Sequence, residues 1–203
     1  MPIGRPREFD TEKALELATA LFWRKGYEGT SLSDLTQTLG ITRPSLYAAF
    51  GNKEALFRLV LERYEAKAGA YRVKALKAPT AAEVARQLLE GAAELHGDKG
   101  NPVGCLGVHG ALACGDEADV IRRELASRRI AGEAGIRRLL QRAQRQGDLP
   151  PDANPSDLAR YLSVVIYGMA VQSVGGASRG ELRRVAQIAL RQWPKNSHSK
   201  NSH

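Results

Sequence analysis

The sequence predicts an all-α protein of about nine helices arranged in two parts, and three observations predict it. Apolar residues recur at spacings of three and four along most of the 203 residues. The stretches between these runs are rich in Gly and Pro, and no alternating strand pattern appears. A hydrophobic share of 43% supplies enough apolar surface for a buried core.

The elements follow in order. Ala14, Leu17, Ala18, Leu21 and Phe22 form one stripe, with Asp10 as N-cap and Gly26 as the stop of a first helix. A second helix is expected at about Leu32 to Leu39 and a third at about Arg43 to Phe50. A long linking helix should run from Lys53 to about Lys77, where Pro79 and Thr80 interrupt the pattern. Five more are expected at about Ala81 to His96, Val103 to Cys114, Ala118 to Gln146, Ser156 to Val174 and Ser178 to Trp193. Gly104, Gly107 and Gly110 weaken the second of these five by roughly 1 kcal/mol each relative to alanine. Residues 1–52 then form an N-terminal domain with the linking helix at 53–77, residues 78–194 a C-terminal domain, and the polar stretch 195–203 a disordered tail.

The formal charge of +8 favours polyanionic partners, but basic residues are in excess on both sides of Thr80, so charge alone does not locate a binding surface. The longest apolar run, Leu162 to Val174, is interrupted by polar residues and too short to span a membrane. Residues Met1 to Asp10 lack the apolar core of a secretory signal, so a cytoplasmic location is expected, in which Cys105 and Cys114 stay thiols.

Chemistry concentrates in Ser31 to Phe50, SLSDLTQTLGITRPSLYAAF. A helix-turn-helix needs two short helices, a tight turn with a residue free to adopt positive φ, and apolar residues wedged between them. Leu35, Leu39, Gly40, Ile41 and Leu46 meet those needs. Thr42 serves as N-cap of the second helix, with Pro44 in its first turn. With Leu46 buried, Thr42, Arg43, Ser45 and Tyr47 lie toward the end of the helix that enters a major groove. Arg43 can read guanine O6 and N7, and Ser45 and the Pro44 ring can touch base edges. Tyr47, Lys53 and the hydroxyls of Thr30, Ser31 and Ser33 suit phosphate oxygens. Arg5 and Arg7, in the basic arm GRPR, suit the backbone or a minor groove.

From about Phe9 to Phe57 the chain resembles the DNA-binding domain of the TetR family of one-component transcriptional regulators. The resemblance is carried by FDTEKALELATALFWRKGYEGTSL, LGITRPSLYAAF and NKEALF. Thr36 departs from it, standing where many members carry alanine at the helix crossing. The resemblance implies a repressor released from a palindromic double-stranded operator by a small-molecule or thiol-reactive effector. It also implies that the remaining helices form an effector-binding and dimerisation domain, the last two joining a four-helix bundle with a partner subunit.

The residues themselves support a dimer, because the helix after Pro155 is apolar over more of its circumference than one core requires. Tyr161, Val165, Met169, Leu182, Val185, Ile188 and Ala189 are the candidate interface. Cys105, His109 and Tyr167 are the candidate effector site. Cys105 follows Pro102 and falls in the first turn of a helix, where the dipole favours a thiolate; the other reading is a small buried residue beside Gly104 and Gly107. Cys105 and His109, four residues apart, form no complete metal set with Cys114 or His96, so no metal or cofactor is expected. The arginines from Arg122 to Arg145 read either as a solvated face or as a site for an anionic effector or DNA. No nucleophile with its base and no paired carboxylates suggest an enzyme. A helical hairpin with no DNA role, and a non-specific architectural DNA-binding protein, are the competing readings.

Overall fold

The computed structural model describes residues 10–112 and 115–194. Ten α-helices follow one another among them: α1 (Thr11–Lys25), α2 (Leu32–Leu39), α3 (Arg43–Phe50), α4 (Lys53–Lys67), α5 (Ala70–Ala75), α6 (Ala81–Gly97), α7 (Leu106–His109), α8 (Asp119–Arg145), α9 (Pro155–Val174) and α10 (Arg179–Arg191). A three-residue 3₁₀ turn, Asp116–Ala118, precedes α8. The expected Arg5 and Arg7 arm, Cys114 and the tail 195–203 lie outside the described residues.

The helices begin and end where side chains satisfy their free backbone groups. Asp10, Ser31, Thr42, Asn52, Thr80, Asn154 and Ser178 each accept a hydrogen bond from an amide in the first turn that follows. Two expectations are corrected. The linking helix does not run unbroken to Lys77; it breaks at Ala68 and Gly69 and resumes as α5. The break redirects the chain so that the ring of Tyr71 occupies the space where a Cβ on Gly91 of α6 would stand. The helix expected at Val103 to Cys114 contracts to the single turn α7 because Gly104 adopts φ +82°, outside the helical region.

Two apolar clusters hold the fold. The first joins α1 to α4 through Phe22, Trp23, Leu35, Leu46, Phe57 and Tyr64, and continues into Cys105, Leu106, Ile121, Leu125 and Ala170. The second joins α5, α6, α8, α9 and α10 through Val84, Leu88, Leu140, Leu162, Ile166 and Leu182 with many alanines. Three candidate interface residues belong to this interior: Met169, Leu182 and Ala189 are 1%, 1% and 3% exposed within the single subunit. They fill the cleft between α6, α9 and α10, so they are not free to meet a second copy. Tyr161, Val185 and Ile188 remain exposed and Val165 is half-buried. No described helix is long and apolar enough to cross a membrane.

Candidate nucleic-acid interface

The helix-turn-helix is built from its caps outward. Ser31 accepts from the Asp34 amide at 3.0 Å and donates its hydroxyl to Asp34 Oδ2 at 2.8 Å, closing a capping box on α2. Lys25 donates to Asp34 Oδ1 at 2.7 Å, and that bond with those from Ser31 holds the Asp34 carboxyl well below the usual carboxylate range. Gly40 ends α2 in the left-handed region, φ 67° and ψ 33°, with open space around it. Thr42 then caps α3. Leu35 and Leu46 are fully buried, and Leu39 and Ile41 are half-buried against the same cluster.

This packing presents one end of α3 to solvent. Thr42, Arg43, Pro44, Ser45 and Tyr47 are all exposed, while Leu46 and Phe50 face the core. Arg43 Nη2 donates to Ser33 Oγ at 3.3 Å, so a candidate base reader and a candidate phosphate contact lie side by side. Lys53 is half-buried, its ammonium 4.4 Å from the centroid of the Tyr27 ring, and burial lowers its pKa. Thr30 is corrected: it is fully buried, and its hydroxyl donates to the Gly26 carbonyl at 2.7 Å, where no phosphate can reach it. The hydroxyl of Ser31 is exposed but its proton is committed to Asp34. Ala48 and Ala49 complete the outward surface of α3; as exposed small residues with no partner in the pattern of apolar spacing, they gave little sequence signal.

The candidate effector residues converge below this domain. Cys105 is buried at the start of α7 and its Sγ accepts from the Tyr64 hydroxyl at 3.2 Å. Its backbone amide donates to His109 Nδ1 at 3.3 Å. This environment matches the small buried residue of the second reading. Burial lowers the pKa of His109 and pushes those of Tyr64 and Tyr167 upward. Tyr167 lines a cavity of about 110 Å³ together with Arg72. Among the described residues no three metal-ligating side chains cluster.

Several residues without a sequence assignment tie this region to α1. The Gly104 carbonyl accepts from Trp23 Nε1 at 3.1 Å and from His96 Nδ1 at 3.2 Å, while the Gly104 amide donates to Ser173 Oγ at 2.9 Å. Burial drives the His96 pKa down to about 4. The Tyr27 amide donates to the Gly110 carbonyl at 2.7 Å, and the Gly115 amide donates to Glu28 Oε1 at 2.9 Å. Apart from the His96 bond, eight residues long, these contacts span 69 to 87 residues of sequence, so no local spacing reveals them. Along α8, Arg122 and Arg123 pair with Asp119, and Arg128 with Glu124 and Glu65. Those arginines are internal to the protein's own charge network rather than an open anion site.

A projecting short helix, capped and wedged behind a left-handed glycine, defines a helix-turn-helix DNA-binding regulator. The comparisons agree. Residues 14–60 match the family described as bacterial regulatory proteins, tetR family, and residues 83–189 match the tetracyclin repressor-like C-terminal domain. The chain belongs to the TetR family of transcriptional regulators. It is 35% identical to the HTH-type transcriptional repressor ComR of Escherichia coli (strain K12), over 94% of this chain and 92% of that one. It is 32% identical to the repressor BdcR of the same organism, over 92% and 90%. A cysteine-substituted form of the TetR family regulator CifR, solved in complex with 26 bp of double-strand operator DNA, superposes with a TM-score of 0.88. That protein shares 39% identity and is matched over 94% of this chain and 100% of its own.

Proposed function

We propose that this protein is a homodimeric repressor that grips a palindromic double-stranded operator with α3 and is released by an effector bound in its C-terminal helices. The observation that carries the reading is the exposed N-terminal face of α3, with Arg43, Pro44 and Ser45 outward and Leu46 locked beneath. The names of ComR and BdcR as repressors and of CifR in complex with operator DNA support it. Arg43 and Ser45 read bases, while Tyr47, Ser33 and Lys53 hold phosphates. The protein works in the cytoplasm and carries no catalytic role.

The second copy is met by the outer faces of α9 and α10. Tyr161, Val164, Val171 and Val174 leave an exposed stripe on α9, and Val185 and Ile188 leave one on α10. Val164 and Val171 take the places of the interior residues Met169 and Leu182 in this surface. A two-fold axis between such stripes sets two recognition helices about 34–36 Å apart, one turn of DNA.

Genomic DNA fragments retained by the purified protein, sequenced with and without candidate effectors, test this reading. A shared palindrome is the expected result. Retention of all fragments alike, with strong salt dependence, would favour an architectural DNA-binding protein instead. Alkylation in a parallel sample is expected to leave Cys105 unmodified, since it is buried; loss of DNA affinity on modification of Cys105 would make the effector thiol-reactive.

A further inference from the structure

We propose that the cavity between α5, α6, α8 and α9 binds a small monocarboxylate with a short apolar body, and that Arg72 meets its charge. The proposal rests on the effector-responsive reading above and names the chemical class of that effector.

Arg72 is half-buried, and its guanidinium keeps its charge throughout the range in which proteins fold. Its hydrogen-bond partner is the neutral hydroxyl of Tyr71, 3.1 Å from Nε. Among the described residues no carboxylate forms an ion pair with it. The acid on the cavity wall, Glu133, is engaged by Arg160 at 2.7 Å. Arg129, whose charge acts on Tyr167 as that of Arg72 does, donates to the Gly107 carbonyl at 2.7 Å. Arg72 is therefore left without an ion-pair partner on a wall whose acid, Glu133, is already paired with Arg160. Burying a cation without a counter-charge is strongly unfavourable, and a fold that keeps one supplies it for a partner that arrives from outside.

The rest of the wall describes that partner. Leu76, Leu88, Ile136 and Ile166 make most of the lining apolar. Ser163 is buried on the same wall, and neither it nor Tyr167 makes a side-chain hydrogen bond among the described residues, so both hydroxyls are available to a ligand. One unpaired cation, an acid already paired with Arg160, two hydroxyls and four aliphatic side chains around 110 Å³ suit a carboxylate on a body of a few carbons. For scale, a dry cavity of about 150 Å³ takes benzene. Arg fits this task because its planar fork matches both carboxylate oxygens.

The test uses the full-length protein and two matched pairs of probes: propanoate with propanamide, and butanoate with butanamide. Thermal melting and calorimetric titration read binding without DNA. The expected result is saturable stabilisation by at least one carboxylate, with its amide at least about tenfold weaker, as the loss of a charge-assisted hydrogen bond implies. Arg72→Met should melt higher than the unliganded wild type and lose the response to carboxylate; Arg72→Gln provides a second variant should the first fail to fold. Equal binding of acid and amide, undiminished carboxylate binding by either variant, or no saturable binding of either carboxylate overturns the proposal. A separate DNA titration keeps the two readings apart. A carboxylate that binds through Arg72 yet leaves the DNA complex intact upholds the site and overturns its role in release.

Discussion

The two apolar clusters of this protein differ in kind. The one beneath the helix-turn-helix is aromatic: Phe22 meets Phe57 edge-on with centroids 5.0 Å apart, Trp23 meets Tyr64 at 4.7 Å, and Tyr27 meets Phe57 at 5.1 Å. The one in the C-terminal helices is built from leucines and alanines, including Ala75, Ala81, Ala85, Ala92, Ala93, Ala159 and Ala186. Interlocked rings have few alternative packings, whereas small side chains let helices lie close and shift along one another. The cavity with Arg72 lies beside the second kind of core. A reader of DNA has to keep its shape; a receptor for a ligand has to be able to change it.

The largest test of that contrast is Phe57→Ala. Phe57 is fully buried at the centre of the aromatic set, and its truncation should lower stability by about 3–5 kcal/mol in chemical denaturation. A loss under about 1 kcal/mol would mean that the aromatic cluster is not the rigid part.

His96 lies at the seam between the clusters and yields a pH test. Its folded pKa of about 4 lies below the unfolded value near 6.5, so the unfolded chain takes up the proton first. Stability from the neutral ring is complete above about pH 6.5 and is lost as pH falls toward 4, by up to about 3 kcal/mol. Melting curves of wild type and His96→Gln at pH 7 and pH 5 should diverge in slope, the variant being the less sensitive; parallel curves would remove His96 from the account.

On the outer surface the expected effects separate stability from affinity. Arg43→Ala should cost about 1–3 kcal/mol of binding to the cognate palindrome and leave stability within about 0.5 kcal/mol. Lys53→Ala should weaken every DNA sequence alike. An equal loss on all sequences in the Arg43→Ala titration would assign Arg43 to phosphate instead. Smallest is Ser31→Ala, which removes the capping box of α2 and should lower stability by about 1 kcal/mol, read as a shift in denaturation midpoint.

How far the sequence is readable follows the range of the interactions. The caps at Asp10, Ser31 and Thr42 and the turn at Gly40 are decided by residues three or four apart, so α1, α2 and α3 fall where the spacing places them. The same holds for the exposed face of α3, which follows once Leu46 is known to be inward. The break at Gly69 does not, because it depends on Tyr71 finding room at Gly91, twenty residues on. Nor does the burial of Met169, Leu182 and Ala189: periodicity marks α9 and α10 as broadly apolar without telling which side another helix of the same chain already covers. Thr30 looks like a surface hydroxyl from its neighbours and is enclosed by the fold around it. Arg72 is ordinary in sequence; the cavity it lines is completed by Glu133, Ser163 and Tyr167, brought to it from 61 to 95 positions away.

The Gly104 junction bears on protein engineering. Regulators of this architecture invite the grafting of one operator specificity onto another sensor by exchanging everything before the end of α4. Here such a graft would part Trp23 from the Gly104 carbonyl, Tyr27 from that of Gly110 and Glu28 from the Gly115 amide. The exchangeable unit is thus discontinuous, and a working hybrid has to bring the 104–115 segment along with the helices it is tied to.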